Sequence, residues 1–104
     1  MSSIAVAKKA DSAEIRFGDN LVSETVEDLR GTLKKLLSEQ LNRIVVNFQS
    51  VEMIDSMGIG LMVSTHNTLT ARGGELIITN LSSDLLELFS VMRLNEFFTI
   101  EGAS

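Results

Sequence analysis

Hydrophobic positions along the chain switch between a two-residue and a three-to-four-residue period, and the switches divide it into short elements. Ile4 to Ala7 is an apolar run, followed by polar turn material from Lys8 to Ser12. Ile15 and Phe17 alternate with Glu14 and Arg16, the pattern of a half-buried strand. Together they predict an N-terminal hairpin that ends at Gly18-Asp19-Asn20. A first helix is predicted from about Glu24 to Ser38, with Ser23 as its N-cap. Val26, Leu29, Leu33, Leu36 and Leu37 form its apolar stripe, and Gly31 falls on the opposite, solvent side.

Ile44 to Phe48 is a β-branched run that reads as a central strand. A second helix follows Asp55-Ser56 and stops at Arg72-Gly73-Gly74, where glycine provides the usual helix end. Leu76 to Thr79 is the next strand. Ser82 or Ser83 caps a third helix with Leu85, Leu88, Phe89 and Met92 on one face, and Phe97 to Ile100 closes the sheet. The order β-β-α-β-α-β-α-β places the fold in the α/β class. It implies a mixed, mostly parallel sheet of about five strands with right-handed crossovers and three main helices. Pattern alone does not separate this from a small flavodoxin-like domain.

Composition narrows the function. With 104 residues, 44% apolar and 22% charged, the chain suits one domain over residues 1–104 with a single core. The net charge of −5, with nine Lys and Arg and no basic run longer than two, argues against nucleic acid and against an anionic membrane. There is no Cys, and His66 is the single His, so thiol chemistry and a His-pair metal site are excluded. No apolar stretch approaches the roughly 18 residues of a membrane span, and the start lacks the order of a secretory signal. The expected location is the cytoplasm.

The candidate site is the stretch Val51 to Met62, between the central strand and the second helix. It sets polar and flexible residues, Asp55-Ser56-Met57-Gly58-Ile59-Gly60, where open α/β sheets keep their sites. In the plainer reading Asp55 and Ser56 are ordinary N-cap residues, and Gly58 and Gly60 allow close backbone approach. At 3.6 residues per turn Ile59, Met62, Val63, His66 and Leu69 share one face, taken as the core side. Met57 and Leu61 then point toward solvent and suggest a docking surface beside Ser56. On its apolar face His66 reads as a packed, hydrogen-bonded core residue. Glu24, Glu27 and Asp28 read as a solvated helix start.

From about Ile44 to Leu94 the chain resembles the STAS family, and within it the bacterial anti-sigma factor antagonists. The resemblance rests on the strand Ile44-Val45-Val46-Asn47-Phe48 and the D-S-x-G-[IL]-G motif at Asp55 to Gly60. It continues through Arg72-Gly73-Gly74-Glu75-Leu76, Leu88-Phe89 and Met92-Arg93-Leu94. With the N-terminal strands it covers nearly the whole chain. The resemblance implies a partner switch in which the motif serine, Ser56, is phosphorylated by an ATPase-fold serine kinase that is also the anti-sigma factor. The unphosphorylated form binds that kinase, and a metal-dependent serine phosphatase restores it. Asp55, Gly58 and Gly60 would support the motif, Met57 and Leu61 would meet the partner, and no cofactor is implied. One departure stands out: family members often carry an acidic residue just before the first helix. Here Leu21 or Val22 takes that place, depending on whether Gly18 or Thr25 anchors the match, with Asp19 and Glu24 nearby.

Ser56 is not a hydrolase nucleophile. Its flanks do not form G-x-S-x-G, and the only His lies ten residues on along the same predicted helix, about 15 Å away. No P-loop sequence is present. Two functions therefore stand: a phosphorylation-controlled antagonist without enzymatic activity, or a constitutive STAS adaptor in a transport or signalling complex, with Ser56 merely a cap.

Overall fold

The computed structural model describes residues 3–102. Its elements are β1 (Ile4–Lys9), β2 (Ser12–Phe17), α1 (Val26–Ser38), β3 (Arg43–Asn47), α2 (Ser56–Ala71), β4 (Glu75–Thr79), α3 (Ser83–Val91), a single 3-10 turn (Leu94–Glu96) and β5 (Thr99–Glu101). The strands form one sheet in the order β1-β2-β3-β4-β5. β1 and β2 are the predicted antiparallel hairpin, and β2 to β5 run parallel.

The register aligns β-branched side chains in rows across the sheet. One row runs Val6, Ile15, Val46, Ile78, Ile100. Each crossover steps one strand in the same direction, and right-handed crossovers then put all three helices on one face. A single buried cluster accordingly joins Ile15, Phe17, Ile44, Val46, Leu76 and Ile78 of the sheet to residues of every helix. The alternate positions face the other way, where the buried Asn47 is held by three hydrogen bonds. It donates to Glu14 (3.3 Å) and accepts from Asn80 (3.1 Å) and the Gln49 backbone (2.9 Å).

α1 buries Val26, Leu29, Leu33 and Leu36, the predicted stripe, with Leu37 at its margin. Its start differs from expectation. Residues 22–25 form a turn in which Thr25 precedes the helix, its hydroxyl donating to the Asn20 carbonyl and accepting from the Val22 N–H. Ser23 is therefore not the cap. α2 ends in a Schellman motif: Gly73, at φ +80°, donates to the Thr70 carbonyl (3.1 Å), and Gly74 donates to the Leu69 carbonyl (2.8 Å). A Cβ at Gly74 would meet the Asn42 carbonyl, so this glycine also lets β4 enter beside β3. α3 is capped by Ser82, whose hydroxyl accepts from Leu85 N (3.2 Å). Leu85 and Phe89 are buried, but Leu88 and Met92, expected beside them, are exposed, Met92 because the helix ends at Val91 and leaves it as the C-cap.

α2 is rotated from the expected phase. Its buried residues are Gly58, Leu61, Met62, Thr65 and Leu69, with Ile59, Val63 and His66 only half-buried. At 100° per residue the buried face is centred roughly 80° from the one expected. The cause is a second wall: α2 packs against α1 as well as against β4, and Leu61 turns into that helix–helix seam beside Leu33. Leu61 is thus a core residue, 4% exposed, and not part of a docking surface. His66 packs on Phe97 (ring centroids 4.3 Å apart) and edge-on to Phe98 (5.7 Å). Its buried Nδ1 finds no hydrogen-bond partner among the described residues, against the expectation of a hydrogen-bonded histidine.

Candidate functional site

The site lies at the carboxyl ends of β2 and β3, where two loops run side by side. The loop before α1 and the loop before α2 are stitched by backbone: Leu21 N donates to the Met53 carbonyl (2.9 Å), and Asp55 N to the Leu21 carbonyl (3.2 Å). Leu21 and Ile54 form a parallel bridge and are both buried. Asn20 adds a second clamp, its side-chain oxygen accepting from the backbone N–H groups of Glu52 (3.0 Å) and Met53 (3.1 Å). Pairing of this kind fixes where α2 begins, and so where Ser56 is held.

Asp55 is the N-cap of α2. One carboxylate oxygen accepts from Met57 N (3.0 Å) and Gly58 N (3.1 Å), two donors that the helix itself leaves unpaired. The other oxygen accepts from Ser23 N (2.9 Å) in the opposite loop. The Gly58 N–H holds the carboxyl below the ordinary carboxylate range, with the Ser23 and Met57 N–H groups adding to it against partial desolvation. The cap is therefore a carboxylate at neutral pH, and it belongs to both loops.

With the cap position filled by Asp55, Ser56 is the first residue of the helix and is exposed. Its hydroxyl makes no hydrogen bond to any described residue. Two large apolar side chains flank the cap in sequence, Met53 (57% exposed) and Met57 (47% exposed). The two motif glycines have different surroundings. A Cβ at Gly58 would lie 2.5 Å from the Leu21 carbonyl oxygen and 2.8 Å from Ile54 Cγ1, so only glycine lets the first turn of α2 pack on the Leu21–Ile54 bridge. A Cβ at Gly60 would meet nothing within 4 Å, so the close approach expected there is absent.

The structure thus brings Asp55, Ser56, Met57 and Gly58 together as the sequence suggested, and leaves Leu61 out. It adds Asn20, Ser23 and Met53. The Gly18-Asp19-Asn20 turn signal marks a loop, but nothing local indicates that Asn20 and Ser23 pair with residues more than thirty positions on. Among the described residues no cluster of acidic, His or Cys side chains has metal-site geometry, and no helix is long and apolar enough to cross a membrane.

Comparison with known proteins agrees with this architecture. A family model described as the STAS domain matches residues 3–103. The anti-sigma-B factor antagonist of Staphylococcus aureus is 30% identical over 87 residues, covering 84% of this chain and 81% of that protein. Among solved structures, an anti-sigma-factor antagonist domain protein from Planctomyces limnophilus superimposes with a TM-score of 0.84 at 19% identity, over 97% of this chain and 91% of that one. The Bacillus cell fate determinant SpoIIAA in its phosphorylated form gives 0.72 at 24% identity, over 95% and 91%. The anti-sigma factor antagonist SpoIIAA in its unphosphorylated form gives 0.75 at 22%, over 98% and 90%. At these identities the structural likeness concerns the fold.

Proposed function

We propose, from the premise that the chain belongs to the STAS domain family, that it is an anti-sigma factor antagonist whose partner binding is switched at Ser56. The observation that carries this reading is the free, exposed hydroxyl of Ser56 at the start of a sixteen-residue helix whose cap is already supplied by Asp55. A serine that caps its helix would lose a structural hydrogen bond on modification; this one loses none. Support comes also from a relative named as an anti-sigma-B factor antagonist and from a structural neighbour solved in both phosphorylated and unphosphorylated forms.

The switch follows from electrostatics. A phosphate on Ser56 adds about −1.5 to −2 charges at pH 7 beside the Asp55 carboxylate. The positive end of α2 tolerates that charge, by roughly 0.3–1 kcal/mol in an exposed setting. The fold persists while the surface changes sign. A partner that covers Met57 and Ser56 must then desolvate a dianion, at a cost of several kcal/mol without a matching cation. Each 1.4 kcal/mol is about a factor of ten in affinity, so a loss of two or more decades results. The partner is an ATPase-fold serine kinase that is also the anti-sigma factor, a metal-dependent serine phosphatase reverses the modification, and the chain itself acts in the cytoplasm by binding, without catalysing a reaction.

The test is affinity capture from the native cell with wild type, Ser56→Ala and Ser56→Asp. Wild type and Ser56→Ala should retain a serine kinase identified by mass spectrometry, and Ser56→Asp should lose it. Identical partner sets for all three, with no kinase among them, would favour a constitutive adaptor of a transport or signalling complex.

A further inference from the structure

The helices cover one face of the sheet and leave the other bare, although parallel strands are normally covered on both faces. On the bare face β2 to β5 present a grid whose rows follow from the register. The middle row reads Glu14, Val45, Ile77, Thr99, and the row toward the carboxyl ends reads Arg16, Asn47, Thr79, Glu101. In the row toward the amino ends Arg43 lies beside Glu75. Opposite charges are thus sorted across the face, with Arg16 and Arg43 on β2 and β3, and Glu75 and Glu101 on β4 and β5. These four residues are exposed, and their side chains make no hydrogen bond or ion pair among the described residues.

We infer that this bare face docks a second copy of the chain, about a two-fold axis that runs parallel to the strands between β3 and β4. Rotation about that axis keeps each row in place and exchanges β3 with β4 and β2 with β5. Arg43 then faces Glu75 of the second copy, and Arg16 faces its Glu101. Val45 meets Ile77, Asn47 meets Thr79 and Glu14 meets Thr99, so no like charges oppose each other. An axis on β3 or on β4 would set Arg43 or Glu75 against its own copy. An axis across the strands would leave Arg43 opposite Asn47 and Glu75 opposite Thr79, with no charge pair formed. The chosen axis also keeps the strands of the two sheets nearly aligned, the usual geometry of sheets packed about 10 Å apart. Both copies of Ser56 come to lie at the same end of the dimer, with the start of α2 outside the contact. Four short strands make a small interface, so the dimer is weak and depends on its ion pairs.

The experiment is sedimentation equilibrium of the full chain at low ionic strength, with thermal melts to confirm that each variant folds. Wild type should show a monomer–dimer equilibrium with Kd on the order of 100 μM, loosening as salt is added. Arg43→Glu and Glu75→Arg should each weaken the dimer about tenfold or more, because each sets like charges together twice across the axis. An equimolar mixture of the two variants should dimerise as tightly as wild type, since both contacts then join Glu to Arg between copies. Repair inside one chain cannot produce that recovery. Arg16→Glu and Glu101→Arg form a second pair with the same expected pattern, which serves if a variant of the first pair does not fold. A wild-type chain still monomeric at about 1 mM, a dimer that neither reversal weakens, or a mixture no tighter than its separate components would overturn the inference. None of these outcomes bears on the partner switch at Ser56, which does not require the dimer.

Discussion

Ser56 and Asp55 are neighbours in sequence with separate duties. Asp55 holds the backbone of two loops, and Ser56 holds nothing. Ser56→Ala should therefore change stability by no more than about 0.5 kcal/mol, as surface substitutions do. Asp55→Ala should lower Tm clearly further, a comparison that one pair of thermal melts decides. The depressed Asp55 carboxyl gives the contrast a pH signature. A group whose folded pKa lies below its unfolded value stabilises the fold above the unfolded value, and the contribution fades as pH falls through the folded one. The stability advantage of wild type over Asp55→Asn should hold at neutral pH and shrink as pH drops below the ordinary carboxylate value of 3.8. An advantage independent of pH down to acid unfolding would contradict the charged cap. Gly58→Ala should cost about 1–3 kcal/mol or more in denaturant titration, because its methyl meets a backbone carbonyl that cannot yield.

α2 is the element where sequence and structure part furthest. Its composition is apolar on several sides, with Ile59, Leu61, Met62 and Val63 nearly consecutive, so a single-stripe reading has no polar face to fix its phase. α1 was legible because Lys34, Lys35 and Glu27 interrupt its stripe cleanly. The seam between α1 and α2 is a tertiary contact that helical periodicity in one segment does not encode, and it draws Leu61 inward. Leu61→Ala should cost roughly 2–5 kcal/mol of stability, the usual range for a buried leucine, whereas Met57→Ala should cost little. The melts should rank them in that order. If Leu61→Ala melts like wild type and Met57→Ala collapses, α2 is turned the other way. The short-range signals held well: the glycine stop at Gly73-Gly74, the Ser82 cap and the Asp55 cap all appear where their residue types put them.

For the whole molecule, element order and strand direction were readable because each switch of period coincides with a strand or a helix. The strand order from β2 to β5 was not, since right-handed crossovers also allow a flavodoxin-like order. The stitching of Asn20 to Ser23 onto Glu52 to Asp55 was not readable, since it joins polar residues across the sheet's carboxyl end. That stitching makes the surface around Ser56 a rigid part of the fold, so the account requires that phosphate acts on the interface and not on the fold. The direct measurement is a calorimetric titration of the purified serine kinase with unmodified protein and with protein phosphorylated to completion, its modified residue mapped by mass spectrometry. The account predicts a single phosphate on Ser56, an unchanged thermal transition to within a few degrees, and affinity reduced at least a hundredfold. Phosphate on another residue with Ser56 unmodified, or equal affinity of the two forms, would contradict it.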